Sequence, residues 1–260
     1  MKRTLISSGL FMMLAALLAG RTYGQASGRE PAQTGKPMAA APAAPAEQVT
    51  LEPIGQIGGT AHGVAVQGHY AYVGMGPTLL VLDVSDPQNV MRVGQSKVLP
   101  GIVQEAYVSE DFVCVAAGQA GLRIISVHYP NSPREVGFLA TVGEAVDVSV
   151  SGNYAYVADR GQEPPEGYGA WSNGRFRIID ISNAARPRQM SVYEMSGGLR
   201  GVDVSGNVAY VIENTGNLPE FVWLRAIDIR DPANPTEVGS YAITETGALA
   251  HALKVANGIA

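Results

Sequence analysis

From residue 51 onward, short runs of β-branched, aliphatic and aromatic residues alternate with turn-forming pairs, and the same pattern returns several times. Ala71-Tyr72-Val73 followed by Leu80-Val81-Leu82-Asp83-Val84 recurs as Ala155-Tyr156-Val157 with Arg177-Ile178-Ile179-Asp180-Ile181. It recurs again as Ala209-Tyr210-Val211 with Arg225-Ala226-Ile227-Asp228-Ile229. A more divergent copy, Val113-Cys114-Val115 with Arg123-Ile124-Ile125-Ser126-Val127, lies between the first two. Gly or Pro interrupts the apolar runs too often for helices, so each run reads as a strand.

Each copy divides into four runs. The valines ending the first runs are Val66, Val108, Val150, Val204 and Val255, spaced 42, 42, 54 and 51 residues apart. Turns such as Gln67-Gly68-His69 and Ser151-Gly152-Asn153 carry hairpin chemistry into the second run. The third run ends at Asp83, Ser126, Asp180 or Asp228, and the fourth is centred ten residues on, at Val93, Val136, Met190 and Val238. The runs are apolar on both faces, as a sheet sandwiched between two others requires. Four strands per period of about 40–45 residues predict β-propeller blades. A β-sandwich, the main competitor, does not explain the near-constant spacing.

The phase at the two ends adds a further expectation. Leu51–Ile57 matches a fourth run, whereas Ala250–Val255 is a first run followed by the opening of a second. The expected fold is all-β: four complete four-stranded blades and part of a fifth, as in a truncated piece of a larger propeller.

The blocks Tyr154-Ala155-Tyr156-Val157-Ala158-Asp159 and Arg177-Ile178-Ile179-Asp180-Ile181-Ser182, followed by Pro187, resemble the LVIVD repeat. The resemblance covers roughly residues 51–260 and departs most in the second copy, where Cys114 and Ser126 replace Tyr and Asp. It implies propeller blades and a secreted or surface protein of bacteria or archaea. It implies no particular activity.

The N-terminal region reads as an address. Lys2 and Arg3 precede the apolar and small stretch Leu10–Gly20, and cleavage points follow the small residues Gly24 or Ala26, so residues 1–26 are expected to be a secretory signal peptide. An uncleaved membrane anchor is the alternative. Arg21 stands where a lipoprotein signal needs cysteine, which excludes lipid attachment. Residues 27–48, rich in Ala and Pro, are expected to form a disordered linker before the repeats of 51–260. No later stretch is long and apolar enough to span a bilayer. The chain from 49 onward holds 13 basic and 21 acidic residues, which argues against nucleic acid as a partner. Cys114 is the only cysteine and lies in a strand, where a small buried hydrophobe is expected.

What breaks the period is where a site is sought. From the second-run valine to the third-run Asp or Ser is ten residues in the first copy and 11 in the second, but 23 in the third and 17 in the fourth. The insertions bring Tyr168, Trp171, Asn173, Phe221 and Trp223, the binding-face candidates, and both tryptophans of the chain. Aromatic residues with polar neighbours suit recognition of a protein, peptide or glycan. Packing of Trp171 and Trp223 onto adjacent blades is the structural alternative. A second group, His62, Gln104, Glu105, Asp147, Arg200 and His251, is expected at the mouth of a central channel, either as a polar lining or as a ligand site. No cofactor is expected, and a divalent cation at the channel mouth is the alternative. The recurring Asp83, Asp180 and Asp228 fit local bonds to turn backbone rather than catalysis.

The expected function is that of an exported binding or protein-interaction module (periplasmic, cell-surface or extracellular) acting on a protein, peptide or glycan at the cell envelope. The alternative is a propeller enzyme using the channel mouth, a metal-dependent hydrolase or lactonase or a quinone-cofactor dehydrogenase. A spacer without a ligand is a third option.

Overall fold

Among the described residues, every run of the four complete copies becomes a strand, and each glycine-containing turn between their first and second runs becomes a two-residue hairpin. The computed structural model describes residues 61–161, 172–215, 221–243 and 253–255. The expected signal peptide, the linker and the strand at 51–57 lie outside the described residues, as do 244–252 and 256–260.

Four antiparallel sheets, or blades, each hold four strands in sequence order. Blade 1 comprises β1 (Ala61–Gln67), β2 (Tyr70–Met75), β3 (Thr78–Asp83) and β4 (Met91–Gln95). Blade 2 comprises β5 (Glu105–Ser109), β6 (Phe112–Ala116), β7 (Leu122–Ser126) and β8 (Arg134–Leu139). Blade 3 comprises β9 (Ala145–Ser151), β10 (Tyr154–Asp159), β11 (Arg175–Asp180) and β12 (Arg188–Glu194). Blade 4 comprises β13 (Gly198–Ser205), β14 (Val208–Thr215), β15 (Phe221–Asp228) and β16 (Thr236–Ile243). The inner strands pack in series, β1 on β5, β5 on β9 and β9 on β13. The fold is all-β and propeller-like.

The register repeats as strictly as the sequence. Val73, Val115, Val157 and Val211 pair with Leu80, Arg123, Arg177 and Arg225. A bulge falls between third and fourth strands at one equivalent place in every blade, at Val81/Leu82, Ile124/Ile125, Ile178/Ile179 and Ala226/Ile227. Bulges of this kind sharpen the local twist, which favours face-to-face stacking of the blades. The first hairpin turn needs a left-handed residue, and Gly68, Gly152 and Gly206 supply it at φ of 60°, 56° and 58°. Glu110 holds the same place in blade 2 at φ 51°.

Between neighbouring blades lie three apolar layers. Tyr72, Leu79 and Val81 of blade 1 meet Val113, Val115 and Ile125 of blade 2. Cys114, Leu122 and Ile124 of blade 2 meet Val148, Val157 and Ile179 of blade 3. Tyr156, Phe176 and Ile178 of blade 3 meet Val211, Ile227 and Ile229 of blade 4, with the Tyr156 and Phe176 rings stacked at 6.1 Å. Both faces of blades 2 and 3 are therefore buried, which is why their strands read as continuous apolar runs. Cys114 takes the role of a small hydrophobe, and burial pushes its thiol up to about 12.

The insertion of blade 4 differs from a long loop. β14 and β15 extend beyond the register of the other blades, pairing as far as Thr215 with Phe221. Trp223 thus sits in a strand, opposite Glu213.

Candidate functional site

Two ends of the blades carry polar chemistry, and they differ in kind. At the end holding the third-to-fourth-strand turns, the recurring aspartates act locally. Asp83, Asp180 and Asp228 accept the N–H of Ser85, Ser182 and Arg230 through one carboxylate oxygen each, at 2.9, 2.9 and 3.0 Å. The hydrogen bonds from Ser85, Ser182 and Arg230, respectively, hold the three carboxyls below their usual range. These are turn devices.

The other end carries the irregular segments. An arginine recurs on the third strand of blades 2, 3 and 4, as Arg123, Arg177 and Arg225. Each reaches the outer strand: Arg123 Nη1 donates to Glu135 at 2.9 Å, Arg177 Nη1 to Gln189 at 2.7 Å and Arg225 Nη1 to Glu237 at 2.9 Å. Blade 1 has Leu80 and Arg92 at the two places, so it lacks the pair.

Blades 3 and 4 add a buried acid to this arginine. Two residues beyond the second-strand valine stand Asp159 and Glu213, where blades 1 and 2 have Met75 and Ala117. Arg177 donates to Asp159 Oδ2 from Nε at 3.0 Å and Nη2 at 2.7 Å. The same carboxylate accepts Gly161 N–H at 3.0 Å and Gly143 N–H at 3.3 Å. In blade 4, Arg225 Nε donates to Glu213 Oε2, while Glu213 Oε1 accepts Gly197 N–H at 2.6 Å and Ser196 Oγ–H at 3.0 Å. Both acids are fully buried. Burial opposes the charge on Arg225, but its hydrogen bonds to Glu213 and Glu237 and their charges outweigh this and hold its pKa above the usual value. Each clamp ties the approach to the inner strand to the second and third strands of its own blade. It does so at the root of the inserted segment, 162–171 in blade 3 and 216–220 in blade 4.

Of the binding-face candidates, Trp223 is half-buried, with the Arg225 guanidinium 5.4 Å from its ring centroid, a cation–π geometry. Asn173 is exposed in a left-handed conformation, φ 56°, and its N–H donates to Ser196 O at 3.3 Å, joining the margins of blades 3 and 4. Tyr168 and Trp171 lie outside the described residues, as does the side chain of Phe221.

The proposed channel-mouth group divides. Glu105 of β5, Asp147 of β9 and Asp203 of β13 lie near enough for the charges of Glu105 and Asp203 to act on Asp147. Asp147 Oδ2 accepts Val202 N–H of the next blade at 2.8 Å, and Oδ1 accepts Val148 N–H at 2.7 Å. Asp203 accepts Ser149 Oγ–H at 3.1 Å and Val255 N–H at 2.8 Å. Lys254 lies 3.4 Å from Asp203 and its ammonium stands 5.7 Å from the Tyr107 ring centroid. Glu105 Oε1 accepts Ala106 N–H at 3.0 Å. Burial, with the negative charges of Glu105 and Asp203, raises Asp147 to about 7 against the pull of its two amide bonds. Burial likewise raises Glu105, opposed by Ala106 N–H and the charge of Lys254.

His62 is exposed, Gln104 and Arg200 are half-buried, and His251 lies outside the described residues. Asp147 reaches the backbone of blade 4 at Val202, beside the layer between blades 3 and 4 into which Val146 packs. Among the described residues, no three His, Cys, Asp or Glu side chains form a group that could hold a metal ion.

Sequence reasoning missed Asp159 and Glu213 as a pair. The available signal was an acid two residues beyond the second-run valine in the two copies that also carry insertions.

Four-stranded antiparallel blades stacked face to face, with their irregular segments gathered at one end, define a propeller-like repeat protein. The chain belongs to the LVIVD repeat family, whose profile matches residues 58–96, 100–141, 142–163, 168–194 and 196–243. Among solved structures, the computationally designed Ika4 protein is similar, with 10% identity and a TM-score of 0.50 over 68% of this chain and 98% of that one. The computationally designed Ika8 protein gives 10% identity and a TM-score of 0.49 over 76% and 65%. At these identities the likeness concerns the fold alone. Among curated proteins nothing matches.

Proposed function

We propose that the chain is an exported binding module that recognises a protein, peptide or glycan at the cell envelope through the insertion-bearing end of blades 3 and 4. One observation carries the reading: the buried acid–arginine clamps occur only in the two blades with insertions, at the roots of those insertions. A recognition surface built on loops needs a rigid base, and a buried, hydrogen-bonded ion pair holds geometry better than apolar contact. The half-buried Trp223 with Arg225 at its ring, and the aromatic Tyr168, Trp171 and Phe221 of the same insertions, supply the amphipathic contacts that such surfaces use. Export rests on the signal-like residues 1–26. Among the described residues, no helix is long and apolar enough to cross a membrane.

The test is a screen of the purified chain against peptide, glycan and envelope-extract arrays, repeated with Trp171→Ala and Trp223→Ala together. An interaction weakened at least tenfold by the double variant and unchanged by Asp83→Asn, at the opposite end, is expected. Interactions that all survive the double variant overturn the reading.

A further inference from the structure

At the turn-bearing end the four blades share one backbone frame. The residue after each third strand, Val84, Val127, Ile181 or Ile229, donates its N–H to the hairpin residue His69, Asp111, Asn153 or Asn207 at 2.8–2.9 Å. A second backbone bond closes each outer turn, from Asn89 to Asp86, Ser132 to Tyr129, Arg186 to Asn183 and Asn234 to Asp231. On that common frame the side chains of blade 2 differ from those of the other three.

Blades 1, 3 and 4 use these positions to secure the turn itself. Besides the bonds of Asp83, Asp180 and Asp228, three residues further on Asp86, Asn183 and Asp231 accept the N–H of Gln88, Ala185 and Ala233 at 3.0–3.1 Å. Blade 2 has Ser126 and Tyr129 at the two places. Tyr129 carries its only side-chain oxygen at the far end of the ring and cannot repeat the second bond. The hairpin of blade 2 also gives up glycine, and Glu110 takes the left-handed position at φ 51°. A backbone outlier and a missing turn bond at one corner mark residues retained for something other than stability.

Those residues present an ordered polar and aromatic group to solvent. Asp111 Oδ2 lies 2.9 Å from His128 Nδ1. A carboxylate only accepts, so Nδ1–H donates and Nε2 is left to bond a ligand. The His128 ring meets the Tyr129 ring edge-on, with centroids 4.6 Å apart. Tyr129 is 67% exposed, and the side chains of His128 and Asp111 are 57% and 61% exposed. Arg134 pairs with Ser126 across β7 and β8 and so has no equivalent of the Asp180 carboxylate, 3.6 Å from Arg188 in blade 3.

We propose that this corner of blade 2 is a second binding site, which takes a neutral glycan. Tyr129 offers an apolar ring face against which a sugar lays its C–H groups, beside a polar tip. Glu110, Asp111 and the outer nitrogen of His128 accept from sugar hydroxyls, and Arg134 donates to them. Charges of both signs at one corner disfavour a polyanion and a polycation alike. The corner lies at the end opposite the insertions, so it is independent of the recognition surface of blades 3 and 4.

Saturation-transfer NMR titrations of the full chain with neutral tetrasaccharides of glucose, galactose, mannose and N-acetylglucosamine test this. At least one tetrasaccharide is expected to bind, and Tyr129→Ala and His128→Ala should each weaken it about tenfold. A folded Trp223→Ala variant should bind it as the parent does. Glu110→Gly should weaken it about threefold while raising the melting temperature, a combination that a purely structural role does not produce. The proposal is overturned if none of the four sugars binds, if binding survives Tyr129→Ala, or if it is lost in the folded Trp223→Ala variant. Tetralysine or tetragalacturonate bound more tightly than any neutral sugar, and released by Tyr129→Ala, also overturns it, since charge then selects the occupant.

Discussion

Arg177 donates from Nε and Nη2 to a single oxygen of Asp159, at 3.0 and 2.7 Å, with almost no solvent reaching either side chain. Breaking such a pair from one side leaves a charge buried without its counterion. Asp159→Ala should therefore destabilise the fold by about 3–5 kcal/mol, read from the urea midpoint. Replacing Arg177 and Asp159 together by leucine should cost far less than the single change. A single variant as stable as the parent would show that the clamp does not hold blade 3.

Glu110 occupies a left-handed turn position that the other blades give to glycine. Its carbonyl accepts a bond from Gln67 Nε2 at 3.1 Å, which any residue would keep. Glu110→Gly should stabilise the protein by about 1 kcal/mol, because the L-residue cost of this conformation disappears. The reverse change, Gly152→Ala, should lose a similar amount although open space surrounds the new methyl group. Thermal melts of both variants decide it, and a destabilised Glu110→Gly would contradict the account.

The centre of the molecule should respond to pH through Asp147. Its folded pKa, about 7, exceeds the ordinary value of 3.8, so between those limits the folded state binds the extra proton. Stability from this group is complete below pH 4 and is lost as pH rises toward 7. Glu105, also raised, acts in the same direction, with Lys254 and Asp203 nearby. Urea midpoints measured from pH 5 to pH 8 should fall, and Asp147→Asn should flatten the dependence. An unchanged slope in that variant would assign the effect elsewhere.

Cys114, 1% exposed between blades 2 and 3, has its thiol pushed up to about 12 by burial. Alkylation of the native protein at pH 8 should be negligible, and labelling should begin only with unfolding. Rapid labelling under native conditions would mean that blades 2 and 3 separate readily.

The hairpins and the four-strand period were legible because each strand needs only local turn chemistry and a run of β-formers, and both are written in contiguous residues. The aspartates at third-strand ends were legible for the same reason, since their bonds run to the second residue onward. The clamps were not. Asp159 reads as the last letter of a strand motif, and its partners Arg177 and Gly143 are 18 and 16 residues away along the chain. The bonds of Asp147 and Asp203 to the backbone of the following repeat were not legible either, because their partners Val202 and Val255 are 55 and 52 residues away along the chain. Trp223, expected in or beside a loop, lies in a strand because β14 and β15 lengthen together.

By itself, then, the sequence determined the repeat: strand number per blade, the turns, the apolar layers and the end of the blades at which irregular segments gather. These depend on periodicity and short-range sterics. Tertiary structure alone decided which acids meet which arginines and which carboxylates converge between inner strands. Those relations arise only when separate repeats stack, because burial and pairing are properties of neighbours brought together by the fold.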